Sequence, residues 1–345
     1  MKKSKSSTLI VAAVLLLSGS TFAAFADNNS QDSNKSRPTE DSSTQNKVAN
    51  GEGPEVRFGK PSRIISSDDD QRDYDQKDGV ISGVATLGSR IFEARVINAA
   101  SPATVVKSPN LVKHSGSAMP VTHLYAIYWG SSFPNGYQAD VNGFLGSIGA
   151  GTNPLNALMT QYMTNKKVAN STTFTTTSYS QSVFTDTTSN PPTAAPTTSS
   201  ILAEVYKVVV TNAKQKIDPA GMYLVFTNNY PASANYCAWH GAGSVNKGST
   251  FTVAYQPFLG GTAGCAASYM ANYTQGSSIS GVDSVANVAS HEIYETITDP
   301  LLNAWYDSAG AEIADKCSWY FGSTKIGVYS VQPEWSNAVT GCAKS

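Results

Sequence analysis

The chain has 345 residues, a formal net charge of −1, 41% hydrophobic and 14% charged residues. That is too long for a peptide hormone or a disulfide-knotted mini-protein, and enough for one large domain or two ordinary ones. It has no basic excess to neutralise phosphates, which excludes an electrostatic nucleic-acid binder.

Lys2, Lys3 and Lys5 precede a short apolar run from Leu9 to Leu17, and Ala24-Phe25-Ala26 supplies a small-x-small site. This layout predicts a secretory signal peptide over residues 1–26, cut before Asp27, because the run is too short to span a bilayer comfortably. Losing three of the 24 basic residues leaves 21 against 25 acids, a net of −4, with no later membrane span. The mature chain is therefore expected to be secreted and extracellular. Residues 27–85 carry 20 of those 46 charges with few apolar residues, which predicts a disordered polar linker or pro-segment. Its acidic run, Asp68 to Asp78, lacks the ligand spacing of an EF-hand and reads as a solvated charge run.

Residues 86–345 read as a single globular domain. Val121–Trp129, Gly221–Thr227 and Phe251–Phe258 are predicted strands, rich in aromatic and β-branched residues. Gln138–Ile148 and Asn153–Met163 are predicted amphipathic helices. Residues 171–188, rich in Thr and Ser, predict a half-exposed strand or hairpin, and 190–200 a loop. Ser200 is placed as the N-cap of a helix running to about Ile217, with Glu204 in its first turn. Strands alternating with helices predict an α/β (α+β) fold, a mixed sheet with packed helices. Four cysteines, Cys237, Cys265, Cys317 and Cys342, allow three pairings; proximity in sequence favours Cys237 with Cys265 and Cys317 with Cys342. No CxxC spacing exists, so a Cys-based metal site is disfavoured. His114 is expected in a flexible loop, and His123 in a strand, satisfied by backbone.

The most informative stretch is 282–299, VDSVANVASHEIYETITD, in which Val285, Ala289, Ile293 and Thr296 recur at helical spacing and Pro300 stops the helix. It contains His291-Glu292-Ile293-Tyr294-Glu295. His291 and Glu295, four residues apart, lie about 40° apart on one helical face, where two side chains reach one metal ion. Glu292 stands beside them, placed to act on a metal-bound water. This is the H-E-x-x-H logic of zinc peptidases with the second histidine replaced by a carboxylate. Zinc accepts histidine nitrogen and carboxylate oxygen alike. Residues 303–310 are predicted as a strand entering a turn and 312–317 as its return strand, a β-hairpin after a zincin-like helix. Asp315, with 19 residues between it and Glu295, is favoured as third ligand by that loop length, with Glu312 the competitor; strand alternation puts the two on opposite faces, so only one is expected to point at the helix. Asp299, before Pro300, is expected to cap a turn. His240, in YCAWHG, is a further candidate as a ligand or an oxyanion stabiliser. No G-x-S-x-G elbow supports a serine hydrolase.

The blocks VTHLYAIYWG, GMYLVFTNNYP, YCAWHG, SHEIYETITDPLLNAWYD, EIADKC and VQPEWSNAVTGC occur in this order over roughly residues 118–345. As a set they resemble the phosphate-induced protein/EXORDIUM-like family, closest to its bacterial secreted branch. The resemblance implies export and, from plant members, an apoplastic role in growth and cell-wall signalling, with no settled reaction. It also implies a departure: plant members lack the H-E-x-x-E residues while keeping the flanking T-x-P, here Thr298 to Pro300.

Two functions follow as expectations. One is a secreted zinc-dependent hydrolase, peptidase-like, with His291, Glu295 and Asp315 or Glu312 on zinc, Glu292 as general base and a peptide as target. The other is a non-enzymatic extracellular protein that binds cell-wall polymer or carbohydrate, or signals. In it the same residues form a structural metal site or a salt-bridged core. Its five tryptophans are a candidate carbohydrate surface, with ordinary core packing the favoured reading.

Overall fold

Alternating buried side chains build a central sheet with a core on each face. The computed structural model describes residues 64–65, 83–93, 109–150, 152–163, 175–177, 183–232, 234–260, 262, 264–265, 281–318 and 324–345. The signal segment, most of 27–85 with its acidic run, and Trp319 lie outside the described residues. The strands, in chain order, begin with β1 (Ile64–Ile65), β2 (Val84–Glu93), β3 (Val112–Lys113), β4 (Val121–Trp129) and β5 (Thr175–Thr177). They continue with β6 (Val183–Asp186), β7 (Gly221–Thr227), β8 (Tyr236–Val245) and β9 (Phe251–Gln256). All but β3 form one eight-stranded sheet in the order β1-β2-β8-β9-β7-β4-β5, with β6 also pairing β4. β4 runs parallel to β5, β6 and β7, and β7 parallel to β9; β1, β2, β8 and β9 pair antiparallel in turn. The sheet is mixed, as expected.

The helices are α1 (Tyr137–Ile148), α2 (Pro154–Met159), α3 (Thr198–Tyr206) and α4 (Gly281–Thr298). Asn153 caps α2 by accepting from the Leu155 N–H, and Pro154 fits its first turn, where the missing N–H costs nothing. The predicted helix over 153–163 is completed by a single 3₁₀ turn, Thr160–Tyr162. α3 is capped by Thr197, not Ser200: the Thr197 hydroxyl accepts from the Ser200 N–H at 3.1 Å. Beyond Tyr206 the chain widens into a π-helical turn, Lys207–Asn212, so the helix stops short of Ile217.

α1, α2 and α4 cover one face of the sheet, where Leu124, Tyr128 and Phe226 meet Val141, Phe144 and Ile293. α3 covers the other, where Ile127, Val225 and Val253 meet Ile201, Leu202 and Val205. Successive residues of β4 thus serve opposite cores. α3 lies close to β8 because position 243 is glycine: a Cβ there would come within 2.5 Å of Leu202 Cδ1 and 2.2 Å of the Ala85 carbonyl oxygen.

Two expectations change. Residues 171–188 do not fold back as a hairpin: β5 and β6 lie one after the other along β4, both parallel to it. The Thr/Ser alternation gives a strand but carries no direction, which pairing with β4 sets. His123 is held by the Asp218 carboxylate rather than by backbone, while His114 follows β3 and stacks on Tyr306 with ring centroids 3.6 Å apart. The four described tryptophans, Trp129, Trp239, Trp305 and Trp335, are buried and build the cores, the reading favoured for them over a carbohydrate surface. Both cysteine pairs are those favoured by proximity, Cys237–Cys265 and Cys317–Cys342. Disulfides fit an oxidising compartment. Among the described residues no helix is long and apolar enough to cross a membrane.

Asp218 provides a pH-dependent contact. Burial by itself raises its pKa, but bonds from His123, the Ala220 N–H and the Tyr125 hydroxyl outweigh that and hold the carboxyl below its usual 3.8. A depressed carboxyl contributes stability that is present above the unfolded value and is lost as pH falls through the folded one. Asp218→Asn is expected to cost about 1.5 kcal/mol near neutral pH, the lower end of the range for hydrogen bonds to a charged group, because the carboxyl is partly exposed. In urea titrations the gap from wild type should stay level down to pH 5 and close below pH 4; a gap that widens in acid would refute the assignment.

Candidate metal centre

α4 is buried from Asp283 to its end, yet it carries a row of polar side chains four residues apart, Asp283, Asn287, His291 and Glu295, which Asp299 continues just past the helix. An i, i+4 series forms one ridge along a helix. Each member of this ridge meets the chain that follows the helix. Asp283 accepts from the Ser330 N–H, Asn287 from the Gln332 N–H, Glu295 from the Asp315 N–H and Asp299 from the Ala304 N–H. His291 Nδ1 lies 3.3 Å from the Gln332 carboxamide. Asp299 thereby caps the turn after Pro300, as its position predicts.

The sheet meets α4 with residues of β2 and β8. Arg90 and His240 are directly opposed across the two strands. Alternation aims both at the helix, while their neighbours Ile91 and Trp239 serve the α3 core. His240 Nδ1 lies 2.9 Å from Glu292 Oε2 and 3.5 Å from Glu295 Oε2, and its Nε2 lies 3.7 Å from Glu312 Oε2. His291 Nε2 lies 3.0 Å from Glu295 Oε1 and 3.6 Å from Asp315 Oδ1, and its ring stacks on Phe92 with centroids 3.7 Å apart. All six residues singled out from the sequence, His240, His291, Glu292, Glu295, Glu312 and Asp315, therefore meet in one place.

The segment supplying Glu312 and Asp315 is not the predicted return strand. Asp315–Cys317 is a 3₁₀ turn, and the short strand β10 (Trp305–Tyr306) pairs with β3 instead of with 312–317. The cause is local: Asp315 Oδ2 accepts the Glu312 N–H at 2.9 Å and closes the chain on itself. Alternation then no longer applies, and both carboxylates turn toward α4. Sequence reasoning also missed Arg90 and Glu334. Arg90 Nε lies 3.1 Å from Glu312 Oε2, Nη2 lies 3.4 Å from Asp299, and Nη1 donates to the Gly310 carbonyl at 2.6 Å. A lone arginine between Ser89 and Ile91 in an apolar strand was the available signal. Glu334 opens β13 (Glu334–Ser336), is fully buried, and both its carboxylate oxygens lack a hydrogen bond.

Burial dominates the electrostatics. It drives His240 well below its ordinary pKa, with Arg90 and His291 adding to the effect, and takes His291 down to about 4 although Asp315 opposes this. It drives Glu292, Glu295, Glu312 and Glu334 well above the usual carboxylate value, aided by their mutual repulsion. Arg90 is lowered by burial and raised more by Glu312, Asp299, Asp315 and Glu295. Neutral imidazoles facing a surplus of buried carboxyls are the donors a divalent ion binds.

Several atoms converge without bonding to each other. His291 Nε2, Glu292 Oε1, Glu295 Oε2 and His240 Nε2 are buried and have no hydrogen bond, although His291 Nε2 and Glu295 Oε1 stand only 3.0 Å apart. Zinc–ligand bonds of 2.0–2.1 Å at tetrahedral angles place neighbouring ligand atoms about 3.3 Å apart. His291, Glu295 and Asp315 offer one atom each within 4.8 Å of one another, and so do His240, Glu292 and Glu295. A metal on His291 Nε2 puts the ring proton on Nδ1, facing the Gln332 amide nitrogen that also donates to the Ala314 carbonyl at 2.7 Å, so Gln332 would have to shift to make room for it.

The comparisons with known proteins give one family. Over 56 residues, 15% of this chain and 17% of the relative, the sequence is 45% identical to Protein EXORDIUM-like 3 of Arabidopsis thaliana. The chain resembles EXORDIUM-like proteins. Protein EXORDIUM-like 5 of the same plant is 42% identical over 53 residues, 14% of this chain and 15% of that protein. The chain thus spans less than a fifth of the length of the EXORDIUM-like relatives it matches. No family model matches, and no solved structure matches.

Proposed function

We propose that the chain is a secreted protein of the EXORDIUM-like type whose extracellular domain is built around a buried divalent metal, with zinc the first candidate. His291, Glu295 and Asp315 are its ligands. The metal serves structure, not turnover, and the domain acts by binding, with cell-wall polymer the partner class that the resemblance implies. One observation carries this reading: the ligand side chains are sealed from solvent, with His291 at 0%, Glu295 at 1% and Asp315 at 8% exposure. A polymer has no route to such a site, whereas a metal there ties α4 to the turn at 315–317 and adds its binding energy to folding. The test is elemental analysis of the full secreted chain, purified without chelator or His tag, beside His291→Ala. Near-stoichiometric zinc, lost in the variant, is expected together with a lower melting temperature in chelator. No metal in either protein, even after zinc is offered at neutral pH, would overturn the reading.

A second reading, a zinc-dependent hydrolase, is favoured by one contact. Glu292 adjoins the ligands, is held by His240 at 2.9 Å, and keeps Oε1 without a hydrogen bond. When bound, zinc polarises a carbonyl and acidifies its water; Glu292 would take that proton, with a peptide bond as substrate. Glu292→Gln separates the two. Under the structural reading it retains the zinc on His291, Glu295 and Asp315 together with wall-polymer binding, and changes no hydrolysis, because none exists. A peptidase activity of the wild type that this variant loses, with zinc retained, would make the protein an enzyme.

A further inference from the structure

We propose that the cluster holds two divalent ions side by side, bridged by Glu295. The inference rests on the metal-binding reading above and extends it. Glu295 belongs to both triads, and its two oxygens address different histidines: Oε1 lies 3.0 Å from His291 Nε2, and Oε2 lies 3.5 Å from His240 Nδ1. The helix makes this sharing possible, because Glu295 is the i+4 neighbour of His291 and the i+3 neighbour of Glu292. One subsite is then His291 Nε2, Glu295 Oε1 and Asp315 Oδ1. The other is His240 Nδ1, Glu292 Oε2 and Glu295 Oε2. Each offers one imidazole nitrogen and two carboxylate oxygens, a set that suits zinc or manganese. A carboxylate bridging through both oxygens is consistent with the separation of about 3.5–4 Å found in two-metal sites.

One further observation supports a second ion: Glu295 Oε2, the shared ligand's oxygen on the His240 side, is buried and has no hydrogen bond. Arg90 stands across from His240 but does not take the place of an ion there, because Glu312, Asp299 and the Gly310 carbonyl already occupy its nitrogens.

The experiment is a metal count on the full secreted chain, stripped and reloaded separately with Zn²⁺ and Mn²⁺, with electron paramagnetic resonance on the manganese form. Two ions per chain and a spin-coupled manganese pair are expected, with His240→Ala falling to one ion and an uncoupled signal. The wild-type count and coupling need no variant, so the test stands even if His240→Ala misfolds. One ion per chain, or two without coupling, overturns the bridged pair and leaves the single-metal reading intact. No ion overturns both.

Discussion

Replacing Arg90 by methionine is expected to cost the metal-free protein about 3–5 kcal/mol, the range for removing one partner of a buried ion pair. The guanidinium is 0% exposed and is the cation among Glu312, Asp299, Glu295 and Asp315. Methionine fills much of the volume, so the loss isolates the charge and not a cavity. The urea midpoint in chelator should drop sharply, and added zinc should restore more of it than in wild type, because the ion then supplies charge that the arginine no longer does. Arg90→Lys is expected to recover less than half of the loss. Lysine is a point charge on a flexible stem and does not reproduce a planar fork that reaches Glu312, Asp299 and the Gly310 carbonyl together. An unchanged midpoint in Arg90→Met would mean that the carboxyls around it are already neutral, and that the cluster is not an anionic site.

The second large effect is expected from the Cys317–Cys342 disulfide. Its cysteines are 25 residues apart, and a closed loop of that length restricts the unfolded chain by about 3.5 kcal/mol. Here stability and site are linked. Cys317 ends the 3₁₀ turn that starts at Asp315, and Cys342 lies on β14 (Gly341–Ala343), opposite Trp335 of β13. The bridge therefore fastens the Asp315 turn to the hairpin whose first residue is Glu334. The double variant Cys317→Ser/Cys342→Ser should melt well below wild type and also bind zinc more weakly. Removing Cys237–Cys265 should lower the melting point but spare zinc affinity, since β8 is held on both sides by β2 and β9. Equal zinc affinity in all three proteins would separate the Asp315 turn from metal binding.

The helix and its motif were readable because helical period and ligand spacing coincide: four residues set both the ridge and the His291–Glu295 pair. The strands β4, β7 and β9 were readable from aromatic and β-branched runs. β8 was not, because its Cys, Trp, His and Gly residues give no such run; it is a strand because neighbours on both sides use its backbone. The strand alternation invoked between Asp315 and Glu312 does not apply, for a related reason. Alternation is a rule for strands, and the side chain of Asp315 converts 312–317 into a turn. Arg90 could not be assigned a role until β2 was known to face α4. Pattern reports local geometry well, and reports poorly which distant segment a residue meets.

Four of the five members of the polar ridge take hold of main chain. Its acceptors bind the amides of residues 304, 315, 330 and 332. Four residues of helix advance about 6 Å, and two residues of extended chain about 6.6 Å. Hence the step from Asp283 to Asn287 fits the step from Ser330 to Gln332 like matched rulers. The hold itself asks only for an N–H at 304 and 330, while burial of Ala304 and Ser330 separately limits the size of the side chain at each. A proline at either position, or one residue inserted between 330 and 332, would throw the C-terminal segment out of step with the helix and carry Glu334 away from the centre.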